Sequence, residues 1–182
     1  MNRPLHTALV AELSGRSIAR VLGMQALVAF ENYPGELPRE IDTFIRDATL
    51  HHELGLLGRP NEDALRFARG LALGATEHRA AIDTRLAKAS TDWPVHRMPP
   101  VDRNILRIGV YELLEEPDTA PAVIIDEAVR IARIFGDVES PNFVNAILDA
   151  IRRELGLAAG QSEGKSGAAQ DSHQQPTAPE SG

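Results

Sequence analysis

The sequence predicts an all-α domain, a bundle of about six to seven helices. Three observations predict it. Apolar residues recur at spacings of three and four from residue 16 to residue 155. No stretch alternates apolar and polar residues as a half-buried strand would. The apolar content is 43% but aromatics make up only 4%, so packing rests on Ala, Leu, Ile and Val, a balance that favours helix.

The elements follow in order. Residues 1–15 form an N-terminal extension in which Leu5–Leu13 has the spacing for two helical turns before Ser14-Gly15. From Arg16 to Glu31, Val21, Met24 and Val28 make one apolar stripe, widened by Ile18, Leu22 and Ala29. Asn32-Tyr33-Pro34-Gly35 is a turn. A second helix runs from about Leu37 to Leu54 with Ile41, Phe44, Ile45 and Ala48 inward, and Pro38 falls harmlessly in its first turn. Gly55, Gly58 and Pro60 break the chain again.

Asn61 is an N-cap, and Glu62 and Asp63 suit the positive helix start that follows. Leu65, Ala68, Ala72, Ala75, Ile82 and Leu86 then predict one helix to about Ala89, ended by Ser90–Pro94. The helix from Pro100 to Glu116 is apolar almost all round, which places it at the centre of the bundle. Its successor buries Ile124, Ala128, Ile131 and Phe135 and stops at Gly136. Ser140-Pro141 opens the last helix, with Val144, Ile147, Ile151 and Leu155 inward and Arg152 and Arg153 at its negative end. Residues 158–182 contain no large apolar side chain and are expected to be a disordered polar tail.

Composition also excludes functions. The chain has no cysteine, so disulfides, thiolate chemistry and Cys-based zinc sites are ruled out. No apolar run reaches the roughly 18 residues of a membrane span. Glu12, Arg16 and Arg20 interrupt any signal-like core, so a cytoplasmic protein is expected. A net charge of −7 confines any nucleic-acid site to a local patch and suits a basic protein partner.

No catalytic set is visible. Adjacent residues such as His51 and His52 point about 100° apart on a helix and do not share a metal. Asp126-Glu127 and Glu115-Glu116 likewise do not converge on one reacting atom, and no cofactor motif is present. Gly70 and Gly74, with three residues between them, read as a close helix contact. Three groups suit a polyanion carrying bases. Arg16 and Arg20 share one helix face, and so do Arg103 and Arg107. Phe143 opens the last helix beside Asn142 and Asn145, where a ring stacks on a base and an amide reads its edge. The competing reading makes Phe143 a core residue and the asparagines caps.

The segments VDRNILRIGVYEL, IIDEAVRIARIFG and FVNAILD, in that order, together with ARVLGMQAL near the start, resemble the transcription antitermination factor NusB family over about residues 16–157. The resemblance implies an all-helical fold of two packed subdomains without catalytic activity. It implies binding of boxA-type ribosomal RNA leader sequence together with NusE, a ribosomal protein, within the RNA polymerase antitermination complex. It carries Arg16, Arg20, Arg107, Phe143 and Asn145 over as RNA-binding residues and Asp102 as a partner-facing acid. The family's N-terminal arginine run is thinned here to Arg16 and Arg20, which weakens phosphate neutralisation. A protein-interaction module with weak or lost RNA binding is therefore the alternative. The apolar face near Val28 leaves a homodimer open. The related fold in ribosomal RNA cytosine methyltransferases needs a catalytic domain and a cysteine nucleophile that this sequence does not contain.

Overall fold

The computed structural model describes residue 13, residues 15–50 and residues 60–158. The helical turns expected before residue 13, the histidines at 51 and 52, the glycines at 55 and 58 and the polar tail lie outside the described residues.

Seven α-helices and no strand occur among the described residues. They are α1 (Gly15–Ala29), α2 (Leu37–Leu50), α3 (Glu62–Glu77), α4 (Arg79–Ala89), α5 (Pro100–Glu115), α6 (Pro121–Phe135) and α7 (Ser140–Glu154), with a short 3₁₀ turn at Val95–Arg97. None of these helices is long and apolar enough to cross a membrane. The first three helices pack on one another, and α5, α6 and α7 do the same. Helix α5 joins the two groups, touching α1 and α3 on one side and α4, α6 and α7 on the other.

The central place of α5 follows from its residues. Ile105, Leu106, Ile108, Val110 and Leu113 are all buried, so apolar surface leaves water around most of its circumference. Asp102, Asn104, Arg107 and Glu112 are buried on the same helix. Burying such groups costs free energy unless each finds a partner, and those partners shape the candidate site.

Two features differ from expectation. The single helix expected over residues 61–89 is two. The chain turns at His78, whose N–H still donates to the Gly74 carbonyl at 2.9 Å, and α4 leaves in a new direction. The apolar spacing resumes on the far side with Ile82 and Leu86 fully buried, so periodicity alone passes straight through the break. The redirection sends α4 onto α5 and α7, whereas α3 lies on α1 and α2.

The Gly70/Gly74 pair is also not a symmetric contact. A methyl group at Gly74 would lie 2.1 Å from Tyr111 Cζ, whereas one at Gly70 would meet nothing within 4 Å. Gly74 makes room for the Tyr111 ring, and Gly70 faces outward.

A close helix crossing lies at Gly109 on α5, where a Cβ would lie 2.8 Å from a methyl of Leu148, itself fully buried. Gly109→Val adds three carbons where there is no room for one. Overpacking should cost about 3 kcal/mol, more than the small gain in helix propensity returns. A urea titration should show a lower midpoint with an unchanged slope. An unchanged midpoint would mean that α7 yields freely at this crossing.

Candidate nucleic-acid interface

The helix spacing that puts Arg16 and Arg20 on one face of α1 brings both to a single ring on α3. The Arg16 guanidinium lies 4.1 Å from the Phe67 ring centroid and that of Arg20 lies 5.6 Å from it. The two arginines then diverge. Arg16 is exposed. Arg20 is only 4% exposed and turns inward to Glu112 of α5. Its Nε donates to both carboxylate oxygens at 2.9 and 3.1 Å, and Nη2 donates to Oε1 at 2.7 Å. Glu127 of α6 approaches the same guanidinium at 3.6 Å. Burial pushes the Glu112 carboxyl above its ordinary range, and Glu116 and Glu127 add to this, against the opposing pull of Arg20.

Arg107 is likewise turned inward at 4% exposure. It makes a two-pronged bond to Asp83 of α4, with Nε to Oδ1 at 2.8 Å and Nη2 to Oδ2 at 2.9 Å. Its Nη1 donates to Glu31 at 2.6 Å and to Asn104 at 3.0 Å. Arg103, one turn earlier, grips both oxygens of Glu31 at 2.7 Å and donates to the Met98 carbonyl at 2.7 Å. Burial alone would raise the Glu31 carboxyl. The two guanidiniums outweigh it and hold the group at about 2. A groove of about 550 Å³ opens over this cluster, flanked by His96 and Pro94. In its lining Arg79, Arg103 and Arg107 share two carboxylates, Glu31 and Asp83, so most of the cationic charge there is already paired within the protein.

Phe143 is half-buried, because its ring packs at a 45° tilt against Trp93 with centroids 5.2 Å apart. Trp93 remains 40% exposed, and Asn142 and Asn145 are exposed beside it on α7. The outer aromatic surface here thus belongs to Trp93 as well as to Phe143.

Arg16, Arg20, Arg107 and Phe143, all expected from the resemblance to bind RNA, are therefore not all presented outward: Arg20 and Arg107 are buried. Arg20 points into the bundle toward the buried Glu112, which would be costly to leave unpaired, and Arg107 points toward the partly buried Glu31 and Asp83. Arg20 pairs with the C-terminal end of α5 and Glu31 with its N-terminal end, so α1 and α5 run antiparallel. From Arg20 to the end of α1 at Ala29 the rise is roughly 14 Å, which separates the Arg16–Phe67 corner from the Arg107 cluster.

Asp102 also departs from its expected place. It is 4% exposed, and its Oδ2 accepts from the Ser140 hydroxyl at 2.8 Å. That hydroxyl in turn accepts from the Asp137 N–H at 2.8 Å. The carboxylate fastens the turn before α7, and it is this turn that presents Asp137, Val138 and Glu139 to solvent. Burial raises the Asp102 carboxyl, partly opposed by the Ser140 hydrogen bond and reinforced by Asp137.

Sequence reasoning missed Phe67 and Trp93. Phe67 sits between the stripe residues Leu65 and Ala68 and carried no signal of its own. Trp93 read only as part of a helix-ending turn.

Residues 17–153 match the sequence profile of the NusB family. The chain belongs to the NusB family. Among NusB relatives, the transcription antitermination protein NusB of Sorangium cellulosum is 40% identical over 144 residues, covering 79% of this chain and 96% of that protein. The NusB of Desulforapulum autotrophicum is 35% identical over 151 residues, covering 83% of this chain and all of that protein. The fold agrees with that of T. maritima NusB, with a TM-score of 0.63 at 32% identity over 76% of this chain and 91% of that one. A crystal structure of the antitermination factors NusB and NusE in complex with dsRNA matches with a TM-score of 0.63 at 26% identity, over 77% of this chain and 97% of the matched chain. The all-helical NusB fold expected from the sequence is thus the fold observed.

Proposed function

We propose that this chain is a non-catalytic RNA-binding factor of transcription antitermination. In this reading it binds boxA-type ribosomal RNA leader sequence together with the ribosomal protein NusE, in the cytoplasm, as part of the RNA polymerase antitermination complex. The observation that carries the proposal is the likeness, over nearly the whole matched chain, to the complex of NusB and NusE with dsRNA. Arg16 supplies an exposed cation for a phosphate. Phe143, backed by Trp93, supplies a stacking surface, and Asn145 stands exposed beside it. Arg20 and Arg107 serve binding indirectly, by fixing α1 and α4 on α5. Asp102 serves the partner side by fixing the turn at Asp137–Glu139.

Trp93 is the only tryptophan, which gives a direct readout. Titration with a single-stranded boxA-type RNA should quench its fluorescence, and addition of NusE should tighten the binding. The affinity should fall with salt, because each phosphate contact contributes about 0.7 to the slope of log K on log salt for single strands. NusE binding without any RNA binding would overturn the proposal in favour of a protein-interaction module.

A further inference from the structure

On an acidic chain, how a cation is held decides what it still offers to a phosphate. Arg20 is held by Glu112 and Glu127, and Arg79, Arg103 and Arg107 share Glu31 and Asp83, so each of these cations already has a carboxylate partner. Arg66, Arg69, Arg152 and Arg153 are ion-paired as well. Arg16 is held differently. It is exposed, has no carboxylate partner among the described residues, and lies with its guanidinium 4.1 Å from the centroid of the Phe67 ring. A π face attracts the cation and limits its rotamers without cancelling its charge. The outward edge of the guanidinium keeps its N–H donors for a ligand.

Phe67 is well placed to do this. Its ring is half-buried and packed against the core cluster, so it is itself held firmly. The i, i+4 spacing of Arg16 and Arg20 brings both guanidiniums to it, and the bond of Arg20 to Glu112 anchors that stretch of α1. A long side chain that is already ordered loses less rotamer freedom on binding than a free one.

We infer that Phe67 is a positioning residue for RNA binding, holding Arg16 as a preordered, un-neutralised cation that contacts a backbone phosphate. This rests on the RNA-binding reading above and adds a residue to it.

The test is a double-mutant cycle on the full chain, with a fluorescein-labelled single-stranded boxA-type RNA as probe and anisotropy as readout at several salt concentrations. Arg16→Ala should weaken binding and flatten the salt slope by about 0.7, the loss of one phosphate contact. Phe67→Leu should weaken binding about two- to five-fold, the scale of an exposed cation–π contact. The decisive arm is the Arg16→Ala/Phe67→Leu double variant, which should bind no more weakly than Arg16→Ala alone, because Phe67 acts only through Arg16. Phe67→Tyr keeps the π face and should bind like the parent chain. Phe67→Met, closer in volume, replaces Phe67→Leu should the leucine variant not fold. Additive losses in the cycle, or parent-like binding by Phe67→Leu or Phe67→Met, overturn the inference while leaving the RNA reading intact. No salt-dependent RNA binding by the parent chain overturns both.

Discussion

Arg20→Ala should be the most damaging single substitution among the charged residues of this protein, and most damaging at neutral pH. Glu112 is 1% exposed, and among the described residues its side-chain hydrogen bonds come from Arg20. Removing the guanidinium leaves a buried carboxylate with Glu116 and Glu127 as electrostatic neighbours. Breaking a buried pair in this way costs about 3–5 kcal/mol. For a chain of this size that lowers the melting temperature by on the order of 10 °C.

The pH dependence gives the prediction its sign. Burial already holds the Glu112 carboxyl above its unfolded value of 4.5, and loss of Arg20 raises it further. A carboxyl raised on folding contributes stability that is fully present below the unfolded value and is lost as pH rises through the folded one. The deficit of Arg20→Ala should therefore be largest near neutrality and shrink as pH falls toward 4.5. Arg20→Met combined with Glu112→Leu removes both charges and should recover most of the loss. Thermal melts across pH decide the matter. A deficit independent of pH would show that the uncovered carboxylate is not the cause.

Arg107→Ala should be the second most damaging, with a loss nearer 3 kcal/mol. The cost is smaller because Glu31 keeps both bonds from Arg103 and Asp83 is partly exposed. The acid limb of the stability curve should move as well. Glu31 is held at about 2, so its contribution is present above 4.5 and lost as pH falls through 2. Without Arg107 that carboxyl moves back toward its ordinary value, and acid unfolding should begin at a higher pH. At a temperature where the variant is fully folded, its RNA affinity and salt slope should match the parent chain. A flattened slope with an unchanged melting temperature would instead place Arg107 on the RNA.

These two arginines mark the boundary of what the sequence could disclose. The spacing of Val21, Met24 and Leu22, or of Ile124, Ala128 and Ile131, determines which face of a helix leaves water, because side chains on one face repeat every three to four residues. All six are buried. Whether an arginine faces inward depends on a carboxylate far away in the chain. Glu112 is 92 residues from Arg20, and Glu31 is 76 from Arg107. Nothing local distinguishes such an arginine from a solvated one.

The same reason hid the break at His78, where no glycine or proline interrupts the pattern and only the packing of α4 on α5 and α7 reveals it. Asn61 was legible because capping is local, and its side chain accepts from the Ala64 N–H at 2.9 Å. Ser140 was legible in part. It lies one residue inside α7, after Glu139, and its hydroxyl bonds to Asp102 and Asp137. Gly136 stops α6 with extended backbone. Its glycine requirement is steric, since a Cβ would meet Ser140 at 2.6 Å.

Helices α1 and α5 are fastened to each other near both ends, by Arg20 with Glu112 and by Glu31 with Arg103 and Arg107. A slip of one helix past the other by a single turn would move every one of these atoms by about 5.4 Å and part both sets of charges at once. Sliding is thus barred without any covalent link between the helices. The Phe67 corner and the Trp93 corner consequently behave as two marks on a ruler, and a polymer touching both must conform to the interval between them.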